Sequence, residues 1–388
     1  MSRCKYLIYL FLFVILVNSI ERPSSDVRAP LGRGKSRNDL ILFMANTDLR
    51  TKMVLSKELV KRASDLLLSV DWKVWYFGDN AGFWGLKAAD EINSSDEFSS
   101  FGYGLLKGWQ HRTPSRMKYD QTLPGREALE IAEKFGDRGI IKSLRNHADW
   151  IISHKRYKGV YLTDDDYPKL VWVDALSLHP PFLAKLGNYS AKYYDIAASL
   201  AISYAKLLQD STGLFSHTYD TNSDTRNNVH WGRGQGWAMT GLLYTLSSLP
   251  LDHPLRDKIT GILNNILRAM VRFQMNNGHW TTIIDDGESP IEASVAAFFV
   301  ITGTQAIMKN LISLNLEKEI EKAFNAVFSS FSRNGFYRGV SEDTWSGNPQ
   351  YYKSIKNNSF SPWSQGPPIA AINCYAKFLS WKRTQKSL

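Results

Sequence analysis

The sequence predicts an all-α protein in which the helices pair as six hairpins within a single domain. From about residue 39 onward, apolar residues recur three and four positions apart, as they do on the buried face of a helix. The segment 253–275 shows this spacing well, at Leu255, Ile259, Ile262, Leu263, Ile266, Leu267, Met270 and Val271. About twelve such segments follow one another along the chain, which suggests six hairpins.

The spacing places these helices in chain order. The first is marked by Leu59, Val60, Ala63, Leu66 and Leu67, and the others lie near 78–92, 97–111, 123–135, 137–154, 173–187, 191–209, 235–248, 253–275, 290–308, 313–332 and 365–382. Distinctive residues precede every second helix, among them Asp79, Asp120, Asp174, Trp231, Glu292 and Trp363. If the even-numbered helices run parallel in an inner ring, their N-terminal ends meet at one mouth, where the helix dipoles favour an anionic ligand.

The N-terminal segment is predicted to direct secretion. Residues 1–20 combine Arg3 and Lys5 with an apolar run, 6–17, that is too short to span a bilayer comfortably. We interpret them as a cleaved signal peptide, with a signal anchor as the alternative. Residues 21–38 are rich in Pro, Ser, Arg and Gly and are predicted to be a flexible leader before the helical domain at 39–388. We expect an extracellular protein with no stable membrane insertion after cleavage.

The positive net charge of the chain bears on the kind of molecule that it binds. The formal net charge is +10, which favours anionic partners such as nucleic acid, a membrane surface or an acidic polysaccharide. The basic residues are scattered and no nucleic-acid-binding signature is present, so a nucleic acid is not expected. For a secreted chain an acidic oligosaccharide is the expected partner, with a merely soluble basic protein as the alternative. Loss of Cys4 with the signal would leave Cys374 alone, so no disulfide is predicted. The sequons at Asn93, Asn188 and Asn357 are weak indications of glycosylation.

The stretch 230–237 is the most unusual in the chain. Three glycines at alternate positions, Gly234 among them, precede an apolar run at helical spacing. Arg233 stands between Trp231 and Trp237, and such a guanidinium can bind a carboxylate while the indole faces pack on a sugar ring. The alternative is a glycine-rich turn with two core tryptophans, and the stretch alone does not decide between them. The glycine spacing does not match a dinucleotide-binding motif.

Two aspartates and one histidine are candidates for chemistry. Asp174 follows Trp172 at the start of an apolar helix, where burial would raise the pKa of its carboxyl and make it a general acid. A helix N-cap is the alternative and is slightly favoured. Asp120 could supply the second carboxyl that glycoside chemistry commonly uses, or it could also be a cap. His217 could bond a substrate hydroxyl or move a proton, although a lone histidine is more often structural.

Metal and cofactor sites are not expected. The histidines are dispersed and neither HExxH nor paired CxxC is present. Asp164-Asp165-Asp166 lacks the spacing of a calcium loop and is interpreted as a solvated turn. No GxSxG or phosphate-binding loop occurs, so serine-esterase and phosphoryl-transfer functions are disfavoured.

Several motifs together resemble those of the unsaturated rhamnogalacturonyl hydrolases and, more distantly, the unsaturated glucuronyl hydrolases. The motifs are Asp120-x-x-x-Pro124-Gly125-Arg126, Trp172-x-Asp174-x-Leu176, Gly213-Leu214-Phe215-x-His217-x-x-Asp220, Trp231-Gly232-Arg233-Gly234-x-Gly236-Trp237 and Glu292-x-Ser294. The resemblance runs from about residue 72 to residue 376. It implies a six-hairpin α/α barrel.

The resemblance also implies a reaction. Such enzymes remove a terminal 4,5-unsaturated uronic acid from an oligosaccharide that a polysaccharide lyase has produced. The aspartate matching Asp174 donates a proton to the C4=C5 enol ether, water adds at C5, and the resulting hemiketal opens with loss of the sugar at C1. Asp120 would hold the ring or position water. The resemblance assigns the pocket to Arg233, His217, Trp231, Trp237, Gly234 and Trp363.

Two departures concern substrate detail. Gln235 stands where the family usually has Asn, and the loop 159–163 has no histidine where related enzymes often have one. Two rival functions remain open at this point. One is another α/α-barrel enzyme, such as an epimerase or an ordinary polysaccharide hydrolase. The other is a secreted carbohydrate-binding protein without turnover.

Overall fold

A computed structural model describes residues 49–74, 77–111, 125–161 and 170–386. The predicted signal peptide, the predicted leader and Asp120 lie outside these residues and stay predictions. Contacts divide the chain into two units, Met1–Lys52 and Met53–Leu388, and the fold below is that of the second. None of the helices described is long and apolar enough to cross a membrane.

Thirteen helices lie within the described residues. They are α1 (Leu49–Leu68), α2 (Asp79–Asn93), α3 (Glu97–His111), α4 (Gly125–Lys134), α5 (Arg138–Ser153), α6 (Ala175–Leu186), α7 (Lys192–Leu208), α8 (Gly232–Ser248), α9 (Arg256–Arg272), α10 (Ser294–Met308), α11 (Glu317–Ser330), α12 (Pro349–Ser354) and α13 (Pro362–Lys386). Twelve of them correspond to the predicted helices. The short helix α12 was not predicted.

Six helices form a closed inner ring. In the order α2, α4, α6, α8, α10 and α13, each contacts the next, and α13 contacts α2. Helices α3, α5, α7, α9 and α11 each contact one or two inner helices from outside. Inner helices are enclosed by neighbours, so α8 is buried continuously from Gly232 to Leu246, whereas the outer helix α9 buries a single face. The prediction of an all-α, six-hairpin barrel is confirmed.

Five short strands were not predicted, because two or three residues are too few to show a strand period. In the first sheet β1 (Arg156–Tyr157) pairs with β2 (Val160–Tyr161). In the second, β3 (Leu170–Trp172) pairs with β4 (Thr218–Asp220), which pairs with β5 (Thr225–Arg226), all antiparallel. The register sets Trp172 opposite Thr218, and the N–H of Val173 donates to the carbonyl of His217 at 3.0 Å. This sheet therefore carries Asp174 and His217 to the same place.

Two buried glutamines attach the segments at Phe215 and Tyr337, which precede inner helices, to the inner ring. Gln235 accepts a hydrogen bond from the N–H of Phe215 at 2.8 Å and donates to its carbonyl at 2.7 Å. Gln365 makes the same pair of bonds with Tyr337, at 3.0 and 3.2 Å. Each glutamine is the fourth residue of its inner helix, α8 or α13. Gln235 is thus a structural residue, since both ends of its amide are committed to main-chain atoms.

Close packing between α6 and α8 depends on Gly241. A Cβ atom at this position would lie 2.2 Å from the carbonyl oxygen of Leu176, and backbone cannot move aside as a flexible side chain can. Gly241→Ala is expected to lower the free energy of unfolding by about 1–3 kcal/mol. Gly261→Ala is the matched control, because the exposed Gly261 of α9 has no atom within 4 Å of such a Cβ. The control should gain about 0.5–1 kcal/mol from helix propensity, and urea unfolding of both variants would check the sign.

Candidate active site

The N-terminal ends of four inner helices, α6, α8, α10 and α13, meet at one end of the barrel, which we call the mouth. Asp174 precedes α6, Arg233 is in the first turn of α8, Glu292 precedes α10, and Trp363 is in the first turn of α13. The guanidinium of Arg233 lies 3.8 Å from Glu292 and 5.9 Å from the ring centroid of Trp363. Residues that are far apart in sequence are brought together because the inner helices run parallel.

Asp174 does not cap its helix. Its backbone is already helical and its side chain makes no cap hydrogen bond, so the N-cap interpretation was wrong. The carboxyl is 14 % exposed, and Oδ2 is buried without a hydrogen-bond partner among the described residues. Oδ2 lies 3.5 Å from Nε2 of His217, which is longer than a well-formed hydrogen bond. The carboxyl is therefore enclosed but not committed to the fold, as a group that exchanges protons with a ligand must be.

His217 is a buried, neutral partner of Asp174. Its ring packs 4.3 Å from the ring of Trp231 and 5.1 Å from that of Trp172. Burial lowers the pKa of His217, the nearby carboxyl of Asp174 acts to raise it, and the charge of Arg233 adds to the lowering. The net shift is downward, so the imidazole is uncharged at neutral pH. A neutral ring offers one donor and one acceptor nitrogen.

Arg233 is fully buried, and its terminal nitrogens hold the segment 341–344. Nη1 donates to the carbonyl and hydroxyl oxygens of Ser341, both at 2.6 Å, and Nη2 donates to the carbonyl of Glu342 at 2.8 Å and to the hydroxyl of Thr344 at 3.3 Å. Burial lowers the pKa of Arg233 and nearby carboxylates oppose that shift, so the group stays cationic. Its hydrogen bonds therefore hold the segment 341–344 as one wall of the site.

The two tryptophans of the stretch 230–237 have different surroundings. Trp231 is fully buried beside His217, with the guanidinium of Arg233 4.5 Å from its ring centroid. Trp237 packs instead against Trp84 and Phe298, with centroids 6.4 and 4.9 Å away, inside the ring of helices. Trp237 is thus a core residue, as the second interpretation has it, and sugar binding by Trp231 stays a prediction.

Gly234 serves packing. A Cβ atom there would lie 2.9 Å from Val173 Cγ1 and 3.0 Å from Trp231 Cε3. Gly234 therefore lets α8 approach the segment that carries Asp174. Any larger residue would displace Trp231 or Val173.

Trp363 lies between the mouth and a neighbouring groove. Its ring stacks on Phe77 with centroids 5.1 Å apart, and it is 7 % exposed. The groove beside it has a volume of about 390 Å³, and its charged lining residues are Asp71, Lys73, Glu342 and Asp343.

Comparison with known proteins gives the family. The model of Glycosyl Hydrolase Family 88 matches residues 54–379. The chain belongs to this family. It is therefore a glycoside hydrolase, and the family resemblance expected from the motifs is confirmed.

Individual relatives agree with this membership. The chain is 24% identical over 329 residues to the unsaturated rhamnogalacturonyl hydrolase YesR of Bacillus subtilis, covering 79% of this chain and 90% of the relative. A family 105 glycoside hydrolase from C. acetobutylicum superposes with a TM-score of 0.74 at 21% identity, covering 83% of this chain and 99% of the other. The unsaturated glucuronyl hydrolase of Bacillus sp. GL1 gives a TM-score of 0.64 at 13% identity, over 82% and 96% of the two chains. The two structures share the barrel fold.

This family 88 protein has site residues that the sequence did not indicate. The hydroxyl of Tyr352, in α12, lies 2.6 Å from Nδ1 of His217, and Asn227 donates to the same hydroxyl at 3.1 Å. Trp345 is 44% exposed at the mouth, with its ring centroid 6.3 Å from that of Trp172. Tyr352 lies 135 residues after His217, and no periodicity links positions so far apart.

The described part of the family 88 chain contains no group of three or more His, Cys, Asp or Glu side chains that could hold a metal ion. Asp120, which the family resemblance places in the site, lies in the segment 112–124 that the structure does not describe. Its predicted role stays a prediction.

A charged histidine braces the loops behind the mouth. Nε2 of His230 lies 2.9 Å from Asp210 and Nδ1 lies 2.8 Å from Asp285, so each nitrogen donates to a carboxylate when the ring is protonated. Burial lowers the pKa of His230, but the hydrogen bond to Asp285 and the charges of both carboxylates outweigh it, and the net shift is upward. His230 is thus held as an imidazolium.

The raised pKa of His230 makes stability depend on pH. Its contribution is fully present below the unfolded pKa of about 6.5 and is lost as the pH rises through the higher folded value. The free energy of unfolding of the wild-type protein should therefore fall across this range more steeply than that of His230→Gln. Denaturant unfolding at a series of pH values measures this difference. Parallel curves for the two proteins would contradict the imidazolium assignment.

Proposed function

We propose that the protein removes a terminal 4,5-unsaturated uronic acid from oligosaccharides that polysaccharide lyases produce. The family is one of glycoside hydrolases, and the YesR relative and the Bacillus sp. GL1 structure are named for unsaturated rhamnogalacturonyl and unsaturated glucuronyl hydrolysis. The observation that carries the proposal is the uncommitted Oδ2 of Asp174, enclosed beside neutral His217 at the mouth of the barrel.

Asp174 acts as the acid in this reaction. Its protonated carboxyl donates to C4 of the enol ether, and positive charge develops at C5 and the ring oxygen. A water molecule then adds at C5 and returns a proton to the Asp174 carboxylate, which completes the addition of water. The product is a hemiketal, which opens by breaking the bond between C5 and the ring oxygen and gives a ketone at C5. The hemiacetal left at C1 collapses to an aldehyde, and its hydroxyl proton passes to the sugar that is released. The bond to the leaving sugar is broken without direct attack on C1.

The electrostatics of the mouth suit an anionic ring. Arg233 supplies a buried positive charge, and the carboxyl of Glu292 lies 3.8 Å from it. The N-terminal ends of α6, α8, α10 and α13 add positive dipole ends. A carboxylate on the substrate would be stabilised here, which agrees with a uronic acid as the reacting sugar.

A double displacement at C1 is less favoured by the described residues. That mechanism needs a second, accessible carboxylate as a nucleophile. Glu292 is near the mouth but is fully buried, and its oxygens accept from the hydroxyl of Ser294 at 2.5 Å and the N–H of Ser341 at 3.0 Å. It supports the wall and is not free to attack a sugar.

The test uses disaccharides that differ only at the double bond. Purified protein is mixed with unsaturated galacturonyl-rhamnose, with unsaturated chondroitin disaccharide, and with the saturated form of each. We expect loss of the ultraviolet absorbance of the C4=C5 bond and release of the second sugar from at least one unsaturated substrate only. Cleavage of a saturated form would indicate an ordinary glycosidase, and no change with folded protein would favour another barrel enzyme or a binding protein.

A further inference from the structure

A chain of hydrogen bonds leads from the second sheet to the catalytic carboxyl. It runs from the amide of Asn227 to the hydroxyl of Tyr352, then to Nδ1 of His217, whose Nε2 faces Oδ2 of Asp174. Tyr352 is fully buried and His217 is 1% exposed, so water does not substitute for these partners. The directions of these bonds decide which nitrogen of His217 carries the proton.

The orientation of the Asn227 amide is set by the backbone. Its Oδ1 accepts from the N–H groups of Thr218 and Val229, both at 3.3 Å. These two groups can only donate, so the oxygen of the amide must face them. Nδ2 therefore faces Tyr352 and donates to its hydroxyl oxygen at 3.1 Å.

The hydroxyl of Tyr352 must in turn donate to His217. Its oxygen has two lone pairs and one proton. Asn227 donates to that oxygen, and among the described residues the other hydrogen-bond partner of the hydroxyl is Nδ1 of His217. Burial raises the pKa of Tyr352 far above the neutral range, so the hydroxyl keeps its proton. The remaining contact, 2.6 Å to Nδ1 of His217, is therefore made by that proton.

We infer that Tyr352 is a positioning residue that holds neutral His217 as the tautomer with its proton on Nε2. Because Nδ1 accepts from Tyr352, the Nε2–H points at Oδ2 of Asp174. In the opposite tautomer, Nε2 would present a lone pair and would accept the proton that the substrate needs. This inference rests on the proposed function for its effect on turnover.

Helix α12 is fastened so that Tyr352 keeps this position. Asn348 caps it by accepting from the N–H of Tyr351 at 3.0 Å, and Lys353 pairs with Asp286 at 2.6 Å. The hydroxyl of Tyr351 accepts from the N–H of Trp345 at 2.9 Å. The cap lies before Tyr352 and the ion pair lies after it, so this short helix holds the Tyr352 hydroxyl in a fixed position.

Two measurements on the full-length protein test the inference. In the first, long-range proton–nitrogen NMR of the wild type determines the tautomer of each histidine, and the spectrum of His217→Gln assigns the signals of His217. We expect an unprotonated Nδ1 and a protonated Nε2. A protonated Nδ1 in the wild type would overturn the inference, whether or not any substrate is turned over.

In the second, Tyr352→Phe removes only the hydroxyl. We expect kcat to fall about 10- to 100-fold while KM stays within about twofold, and the NMR signals of His217 to move toward the other tautomer. Tyr193→Phe is the matched control, because the buried Tyr193 hydroxyl donates to Asp149 on an outer helix at 2.7 Å. Thermal unfolding establishes that both variants are folded.

The outcomes separate this inference from the proposed function. If the wild type turns over an unsaturated uronide and Tyr352→Phe matches Tyr193→Phe in kcat, the positioning role is wrong and the function stands. If the wild type turns over no such substrate, the function is wrong and the NMR measurement alone decides the tautomer. Should Tyr352→Phe not fold, the wild-type NMR result still decides.

Discussion

Asp174→Asn is expected to lower kcat about a thousandfold or more on an unsaturated uronide while leaving substrate binding largely intact. General acid catalysis contributes about 10²- to 10⁴-fold, and an amide of the same shape cannot donate a proton to carbon at neutral pH. Because Asp174 makes no cap bond and its Oδ2 has no hydrogen-bond partner among the described residues, the substitution removes little from the fold. The loss should therefore fall on kcat and not on stability.

The measurement compares initial rates of ultraviolet absorbance loss and calorimetric binding of the substrate. Asp257→Asn, on the exposed first turn of α9, is the control for an aspartate change remote from the mouth. A kcat for Asp174→Asn within about tenfold of the wild type would exclude Asp174 as the acid. Loss of binding together with activity would assign it to substrate recognition instead.

Arg233→Met is expected to lower the free energy of unfolding by about 3–5 kcal/mol, the usual result of breaking a buried ion pair from one side. Arg233 and Glu292 are both fully buried, and the substitution leaves the carboxylate without its cation. It also leaves the carbonyl groups of Ser341 and Glu342 without the donors that now reach them. The wall formed by the segment 341–344 should loosen as a result.

A double substitution separates charge from hydrogen bonding. Arg233→Met with Glu292→Gln removes the unpaired charge, so part of the lost stability should return, as denaturant unfolding would measure. Lys192→Met is the control, since its pair with Asp149 is about half exposed and contributes roughly 0–1 kcal/mol. If Arg233→Met and Lys192→Met lowered the free energy of unfolding equally, burial of the Arg233–Glu292 pair would not contribute to the loss.

The helices of the barrel could be predicted because the burial of inner and outer helices leaves a pattern in their sequences. Outer helices such as α9 show one apolar face at the helical period, whereas inner helices such as α8 and α10 are buried almost throughout and carry few charged residues. Both patterns are local in sequence. The strands of two or three residues and the six-residue α12 are shorter than any period that could reveal them.

The candidate site could be predicted only in part. Asp174, His217 and Trp231 do converge, as the parallel inner ring required. Trp237, six residues and nearly two helical turns further on, packs into the core against Phe298, because it points to another side of α8. The terminal nitrogens of Arg233 bind main-chain atoms of the segment 341–344. The residue types in that segment do not predict this contact.

The amino-acid sequence by itself determined the helices, their pairing and the family, and it singled out Asp174 as the candidate proton donor. Each depends on residue identity within a short stretch, or on motifs in a fixed order. The tertiary structure alone decided that Asp174 is uncommitted, that Arg233 braces a wall, and that Tyr352 reaches His217. Those properties depend on distances of a few ångströms between segments that are far apart in the chain. Arg233 and Tyr352 each contact a residue more than a hundred positions away, and only the packing of the whole domain sets such distances.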